Sequence, residues 1–166
     1  MDTDEMPKPE TFRVLFVCTG NTCRSPTAEA LARRELDALG WTHVEVRSAG
    51  AGAVPGEPAS EGARRAAASH GLSLDEHRSA SLDAERVAWA DLILVMSPSH
   101  LFRVADLGGG ERAALLDAFA RGDEGAVGGG VPDPFGGDDE AYEAAYVALE
   151  ELVRAAVRRL EPILSP

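Results

Sequence analysis

The sequence feature that most constrains the fold lies near the start of this chain. It consists of a short apolar run, a small polar loop and a proline, in that order. Residues Phe12 to Val17 (FRVLFV) have strand composition, and Pro26 stands where helices commonly begin. A loop between a strand and a helix brings its N–H groups and the positive end of the helix dipole to one point. The sequence therefore predicts an anion-binding loop between a first strand and a first helix.

The loop itself, CTGNTCRS, carries a thiol at Cys18 and a guanidinium at Arg24. A cation and loop amides can bind phosphate oxygens while the sulfur attacks phosphorus, and the same field favours a thiolate. Gly20 permits close backbone approach, and Asn21 tolerates a left-handed conformation. This pair predicts phosphate chemistry. On its own, however, it also fits an inert cysteine packed in a core.

Composition limits the alternatives. The 166 residues suffice for one domain, which we expect at 11–166 after a flexible extension at 1–10. Both cysteines lie in the loop, so they do not form a disulfide framework, and no apolar run has signal-peptide or membrane-spanning length. The net charge of -12 disfavours a nucleic-acid partner. We expect a cytoplasmic monomer with no membrane or nucleic-acid partner.

Helical and strand-like segments alternate along the chain. Strand-like runs occur at 44–48 and 92–96, and helical patterns occur at 25–39, 59–70, 83–90, 99–105 and 142–160. Strands separated by helices indicate an α/β fold with a parallel sheet covered on both faces. Binding sites in such sheets lie at the carboxyl ends of the strands, where the Cys18 loop is expected.

The segment VLFVCTGNTCRSPTAEA, residues 14–30, closely resembles the opening of the low-molecular-weight protein tyrosine phosphatase family, V-x-F-V-C-x-G-N-x-C-R-S-P-x-A-E. The resemblance implies a single-domain, three-layer α/β/α fold with a central four-stranded parallel sheet. It also implies a fourth strand at Ala113–Phe119, whose residues otherwise favour helix. The phosphate-binding loop after the first strand would comprise Thr19, Gly20, Asn21, Thr22, Cys23 and Ser25 beside the catalytic pair.

A carboxyl group is expected to protonate the leaving group, and Asp133 in VPDPFGG is the candidate. From composition alone, this segment favours a turn. In the resembled family, a D-P motif near the last helix carries the general acid. The resemblance thus implies a phosphocysteine formed on Cys18, oxygens held by Arg24, and Asp133 acting first as acid and then as base. No metal or cofactor is implied, and the four scattered histidines are expected to be surface or structural residues.

Other residues resemble supporting positions of the family. Asn21, Ser25 and Ser48 would brace the loop and stabilise the thiolate. His77 resembles a further member of that network, although an exposed histidine before a helix explains it equally well. Cys23 could trap an oxidised Cys18 as a disulfide, or could simply fill the underside of the loop.

The family includes phosphotyrosine phosphatases, phosphoarginine phosphatases and arsenate reductases, and the lack of cysteines after Cys23 argues against arsenate reduction. Thr22 and Phe135 match residues of the arginine-directed members that this sequence resembles. The physical account for Thr22 is that a small polar wall admits a planar charged guanidinium. The loop at 49–56 has no aromatic residue, which departs from both branches. We expect a phosphatase acting on phosphoarginine in proteins. A tyrosine phosphatase and a non-catalytic phosphate-binding or redox-sensing module remain the alternatives.

Overall fold

The computed structural model describes residues 11–122 and 130–164, which form a sheet between two layers of helices. In chain order the elements are β1 (Phe12–Cys18), α1 (Arg24–Leu39), β2 (Val44–Gly50), α2 (Glu61–Ser69), α3 (Ala84–Trp89), β3 (Leu92–Val95), α4 (Pro98–Asp106), a 3-10 turn (Gly110–Arg112), β4 (Ala113–Leu115), α5 (Leu116–Ala120) and α6 (Asp139–Leu164). The extension expected at 1–10 lies outside the described residues.

The strands are parallel and run in the order β2-β1-β3-β4. The four-stranded, three-layer α/β/α arrangement predicted from the resemblance is therefore confirmed. β1 is a central strand, flanked by β2 and β3, and its last residue, Cys18, pairs with Gly50 at the end of β2. The loop that follows β1 consequently emerges from the middle of the sheet's carboxyl edge, where parallel sheets bind ligands.

Side chains of β1 enter two separate cores in alternation. Val14, Phe16 and Cys18 pack with buried residues of α1, α2 and α6, whereas Leu15 and Val17 pack with those of α3 and α4. A strand buried on both faces requires apolar residues at every buried position, which explains the unbroken run from Val14 to Cys18 after the exposed Arg13. Burial on both sides fixes β1 and therefore fixes the starting point of the loop.

The strand predicted at Ala113–Phe119 is wrong beyond Leu115, because the chain turns there into α5. β4 pairs only with β3, in a register that joins Val95 to Leu115, and β3 ends at Val95. Without a partner for further ladder hydrogen bonds, the helix-favouring residues that follow adopt their local preference. The strand implied by the resemblance therefore covers the first three residues of this segment, and the helix favoured by its composition covers the rest.

The remaining elements lie close to their predicted bounds. α1 ends at Gly40, whose φ of 71° gives the left-handed cap that glycine adopts without steric cost. α6 extends the predicted amphipathic stripe at both ends. Within 11–122 and 130–164, no helix combines the length and the apolar character needed to cross a bilayer.

Candidate active site

The phosphate-binding loop connects the last residue of β1, Cys18, to the first residue of α1, Arg24. Both residues are buried, each with 3% of its surface exposed. Asn21, at the centre of the loop, has a φ of 54° and is the only non-glycine residue with a positive φ in the described part of the chain. This left-handed turn, which the sequence indicated that asparagine would tolerate, reverses the loop so that it can lead into α1.

The end of β2 lies directly against the loop. A Cβ atom on Gly50 would lie 2.5 Å from the carbonyl oxygen of Thr19 and 2.9 Å from the amide nitrogen of Asn21. Only a residue without a side chain fits such a close backbone approach. The carboxyl end of β2 therefore forms a rigid support for the first half of the loop.

The side chain of Asn21 organises the buried polar groups behind the loop. Its Oδ1 accepts a hydrogen bond from the N–H of Ala80 at 2.8 Å, which fixes the orientation of the amide. Its Nδ2 then donates to the hydroxyl oxygens of Ser25, at 2.8 Å, and Ser48, at 2.9 Å. Both amide protons are thus committed to the two serines.

The partners of the two serine hydroxyls determine which atom each hydroxyl donates its proton to. Ser48 donates to Oε1 of Glu29 at 2.6 Å, because a carboxylate can only accept. Ser25, having accepted from Asn21, has its own proton available, and the Sγ of Cys18 lies 2.8 Å from its oxygen. The alternative acceptor, the carbonyl of Ala49, is farther away at 3.5 Å. The network therefore directs a hydrogen-bond donor at the sulfur, which stabilises a thiolate.

His77 also contacts this network, as the resemblance implied. Its Nε2 lies 2.7 Å from the backbone carbonyl of Asn21, to which it donates. Glu29, in contrast, was not singled out from the sequence, although it belongs to the quoted segment. Its position on α1, about one turn beyond the loop, was the available signal.

Arg24 is held by partners from two other parts of the fold. Its Nη1 donates to the hydroxyl of Ser97 and to the carbonyl of Val131, both at 2.8 Å. Its Nη2 lies 3.6 Å from Oδ2 of Asp133. The guanidinium is therefore fixed beside the predicted acid, whose side chain is 46% exposed.

The segment that carries Asp133 is anchored before that residue and forms a turn after it. The N–H of Val131 donates to the carbonyl of Met96 at 2.7 Å, which ties the segment to the end of β3. Beyond it, the N–H of Phe135 donates to Oδ1 of Asp133 at 3.1 Å, and the N–H of Gly137 donates to the carbonyl of Pro134 at 2.8 Å. The turn predicted from composition thus exists, and it holds the carboxyl group at the pocket.

The pocket has a volume of about 210 Å³ and is lined by Cys18, Thr19, Gly20, Thr22, Cys23, Arg24, Asp133 and Phe135. The structure thus gathers the predicted nucleophile, cation, acid and selectivity residues, while Asn21, Ser25, Ser48 and His77 support the loop from behind. Phe135 is 83% exposed and forms an open wall. A larger cleft, of about 790 Å³, lies beside Ser48 and His77 and contains neither Cys18 nor Asp133, so it is separate from the predicted catalytic residues.

The thiol of Cys23 has a raised pKa, whereas a reactive cysteine has a lowered one. Burial, followed by the charges of Cys18 and Asp133, raises the pKa of Cys23 to about 12, and the charge of Arg24 opposes this shift only in part. Both cysteines are free. Cys23 is therefore a neutral thiol at pH 7, which favours the filling role over rapid attack as a thiolate.

Two further residues of the site, Ser97 and His100, were missed from the sequence. Ser97 precedes α4 and binds Arg24, and the Nε2 of His100 lies 2.9 Å from the hydroxyl of Thr19. The available signal was their position after β3, at the same carboxyl edge as the loop. For metals, no suitable group of three or more histidine, cysteine or acidic side chains occurs among the residues that the structure describes.

Comparison with known proteins is consistent with this geometry. A family model described as low molecular weight phosphotyrosine protein phosphatase matches residues 13–162. A protein-arginine-phosphatase of Geobacillus stearothermophilus is 37% identical over 152 residues, which cover 90% of this chain and 97% of the relative. A low molecular weight protein-tyrosine-phosphatase of Streptomyces coelicolor is 38% identical over 151 residues, covering 88% and 89%.

A solved structure adds a chemical observation. A YwlE arginine phosphatase, in a form with a serine mutation and a phosphorylated active-site serine, superposes with a TM-score of 0.83 at 36% identity. The match covers 90% of this chain and 96% of that one. Overall identity is nearly the same toward arginine and tyrosine phosphatases, so the pocket residues must decide the substrate.

Proposed function

The chain belongs to the low molecular weight phosphotyrosine protein phosphatase family, and we propose that it hydrolyses phosphoarginine in proteins through a phosphocysteine intermediate. The observation that carries the proposal is the pocket itself, in which Cys18, Arg24 and Asp133 meet Thr22 and Phe135. The first three supply a nucleophile, a phosphate-binding cation and an acid. The last two form the wall against the part of the substrate that carries the phosphate.

In the first step, the Sγ of Cys18 attacks phosphorus, and an S–P bond forms while the P–N bond of phosphoarginine breaks. The hydroxyl of Ser25, 2.8 Å from the sulfur, stabilises the thiolate before attack. Arg24 binds the phosphoryl oxygens, whose charge grows in the transition state. The electron pair of the P–N bond passes to nitrogen, which takes a proton from Asp133.

In the second step, a water molecule attacks phosphorus, and Asp133, now a carboxylate, accepts a proton from it. An O–P bond forms, the S–P bond breaks, and the sulfur leaves as the thiolate. Inorganic phosphate departs, and Asp133 carries the proton needed for the next cycle. The half-exposed position of this carboxyl group supports the assignment, because water can reach it.

Substrate choice rests on the open side of the pocket. Thr22 offers a short hydroxyl-bearing side chain, so a planar guanidinium can approach the phosphate site without meeting a long aliphatic side chain. Phe135 supplies an exposed ring face on which a guanidinium can stack. The segment 51–56 contributes no aromatic ring, so a phosphotyrosine ring would find a wall on one side only.

The test is a side-by-side measurement of kcat/KM on proteins carrying phosphoarginine and on the same proteins carrying phosphotyrosine. We expect clearly faster hydrolysis of phosphoarginine, and no turnover of either substrate by Cys18→Ser. A preference for phosphotyrosine would make the chain a tyrosine phosphatase instead. If the wild-type chain in reducing buffer fails to hydrolyse even p-nitrophenyl phosphate, the non-catalytic binding module is the better account.

A further inference from the structure

We propose that His100 is a positioning residue that makes the hydroxyl of Thr19 a hydrogen-bond donor to the phosphoryl group. The proposal rests on the assignment of the Cys18 loop as a phosphate site, but not on the preference for arginine. It assigns α4 a role in substrate binding that its position behind the pocket does not suggest by itself.

One nitrogen of His100 is committed to its own helix. Its Nδ1 lies 3.2 Å from the backbone nitrogen of Ser97, the residue that caps α4. A backbone N–H can only donate, so Nδ1 must accept with its lone pair. A neutral imidazole carries one proton, which must therefore be on Nε2.

The other nitrogen faces the pocket wall. Nε2 of His100 lies 2.9 Å from Oγ1 of Thr19, so the threonine oxygen accepts this hydrogen bond. Its own proton then remains available, and Thr19 lines the pocket with Cys18 and Arg24. The phosphoryl oxygens are the acceptors that any phosphorylated substrate brings to this loop, so they are the partners available to that proton.

The surroundings of His100 maintain the neutral ring that this arrangement requires. Burial and then the charge of Arg24 lower the pKa of His100 to about 4, and the charge of Asp133 opposes them more weakly. The ring is 3% exposed. A protonated ring would lose the lone pair that accepts from Ser97 and would place a second cation next to Arg24.

The residue type at this position supports a double role. Ser97 and His100 form a capping box at the start of α4, in which the third helical residue is usually Glu or Gln. An ionised Glu could only accept from the capping N–H, whereas the histidine here both accepts from it and reaches Thr19 with its second nitrogen. Because Ser97 also binds Arg24, the first turn of α4 fixes two groups of the phosphate site.

The test compares His100→Leu, which has neither a donor nor an acceptor, with Thr19→Val, the double variant and the control Ser99→Ala, which alters an exposed neighbour on α4. The readouts are the inhibition constant of inorganic phosphate and kcat/KM for p-nitrophenyl phosphate at pH 7. Loss of one hydrogen bond to a charged phosphoryl oxygen predicts a change of about tenfold or more in both quantities for each single variant. In the double variant, the loss in both quantities should be no larger than the loss in the more impaired single variant. Thr19→Ser, which keeps the hydroxyl, should give wild-type values.

Several results would overturn the proposal. If the effects of His100→Leu and Thr19→Val multiply in the double variant, the two residues act separately. An unchanged inhibition constant of phosphate in Thr19→Val would show that the threonine hydroxyl does not contact the substrate. Ring ¹⁵N chemical shifts of His100 must also report a neutral ring protonated on Nε2. If His100→Leu does not fold, the difference between Thr19→Val and Thr19→Ser, together with the ring ¹⁵N shifts, tests the proposal.

This experiment also separates the inference from the proposed function. A wild-type chain that prefers phosphotyrosine refutes the arginine assignment and leaves the Thr19 measurements fully interpretable. A chain that turns over no phosphate ester refutes the proposed hydrolysis. Phosphate binding measured directly by calorimetry on the same five variants then still tests the role of Thr19 and His100.

Discussion

The two sides of the phosphate-binding loop differ in how firmly they are held. Behind the loop, Asn21 and Ser25 are fully buried and joined to Ser48 through hydrogen bonds whose directions are all determined. In front, Phe135 is largely exposed and the side chain of Asp133 is half exposed. In the proposed mechanism, activation of the sulfur depends on the fixed rear side, whereas leaving-group protonation and the choice among substrates depend on the open front side.

The largest test of this contrast is Cys18→Ser. A serine hydroxyl at this position is a far weaker nucleophile than a thiolate, so we expect loss of turnover by at least about 10³-fold for every substrate. Single-turnover kinetics with phosphoarginine and aryl phosphates would measure the loss. The control Cys23→Ser should retain most of the activity. Retained turnover in Cys18→Ser would remove the proposed mechanism entirely.

Asp133→Asn should have the next largest effect. The variant keeps the size of the side chain but cannot transfer a proton, so kcat should fall by about 10² to 10³-fold. Because a poor leaving group depends more on protonation, the loss should be smaller with p-nitrophenyl phosphate. Asp106→Asn, at an exposed site on α4, is the matched control. An equal loss on all substrates would argue that Asp133 contributes charge rather than a proton.

Asn21→Ala tests the rear side. It leaves Ser25, Ser48 and the N–H of Ala80 without their partner, and it places alanine at a positive φ. We expect the free energy of unfolding to fall by about 3 kcal/mol and kcat to fall about equally for all substrates. Urea denaturation and parallel kinetics would measure both. Ser48→Ala, which removes only the outer hydrogen bonds, should cost about 1 kcal/mol.

A marked change of substrate preference in Asn21→Ala, without a general loss of activity, would contradict the separation of the two sides. The rear network would then shape the pocket as well as support it. The same kinetics therefore decide how far the contrast between the two sides holds.

Thr22→Ile should have the smallest effect on activity of the four variants, but it should affect the two substrate classes differently. Replacing the hydroxyl by an ethyl group narrows the approach for a guanidinium and gives an aryl ring an apolar surface to pack against, so the ratio of phosphoarginine to aryl-phosphate activity should fall about tenfold. Stability should change little, because Thr22 lies at the pocket wall. Thr42→Ile, at an exposed site, is the control. If both activities change by the same factor, Thr22 has only a structural role.

The strand, the loop and the first helix were predictable from sequence because their signals are local. The fourth strand was not, since its length depends on where β3 ends and not on the residues of 113–119. Ser97 and His100 were missed for a similar reason. Thr19 and His100 are 81 residues apart, and only the order of the strands brings them together. His77 became predictable only through the family resemblance.

The close contact between Gly50 and the loop has a consequence for redesign. An aromatic residue meant to enclose a phosphotyrosine ring cannot be introduced at position 50, because even a methyl group would displace the catalytic backbone. At Gly52 the nearest atoms to a new Cβ, both in Thr19, lie at 4.0 Å. A library that varies position 52 together with 22 and 135, and leaves 50 unchanged, would explore new substrates without altering the catalytic machinery.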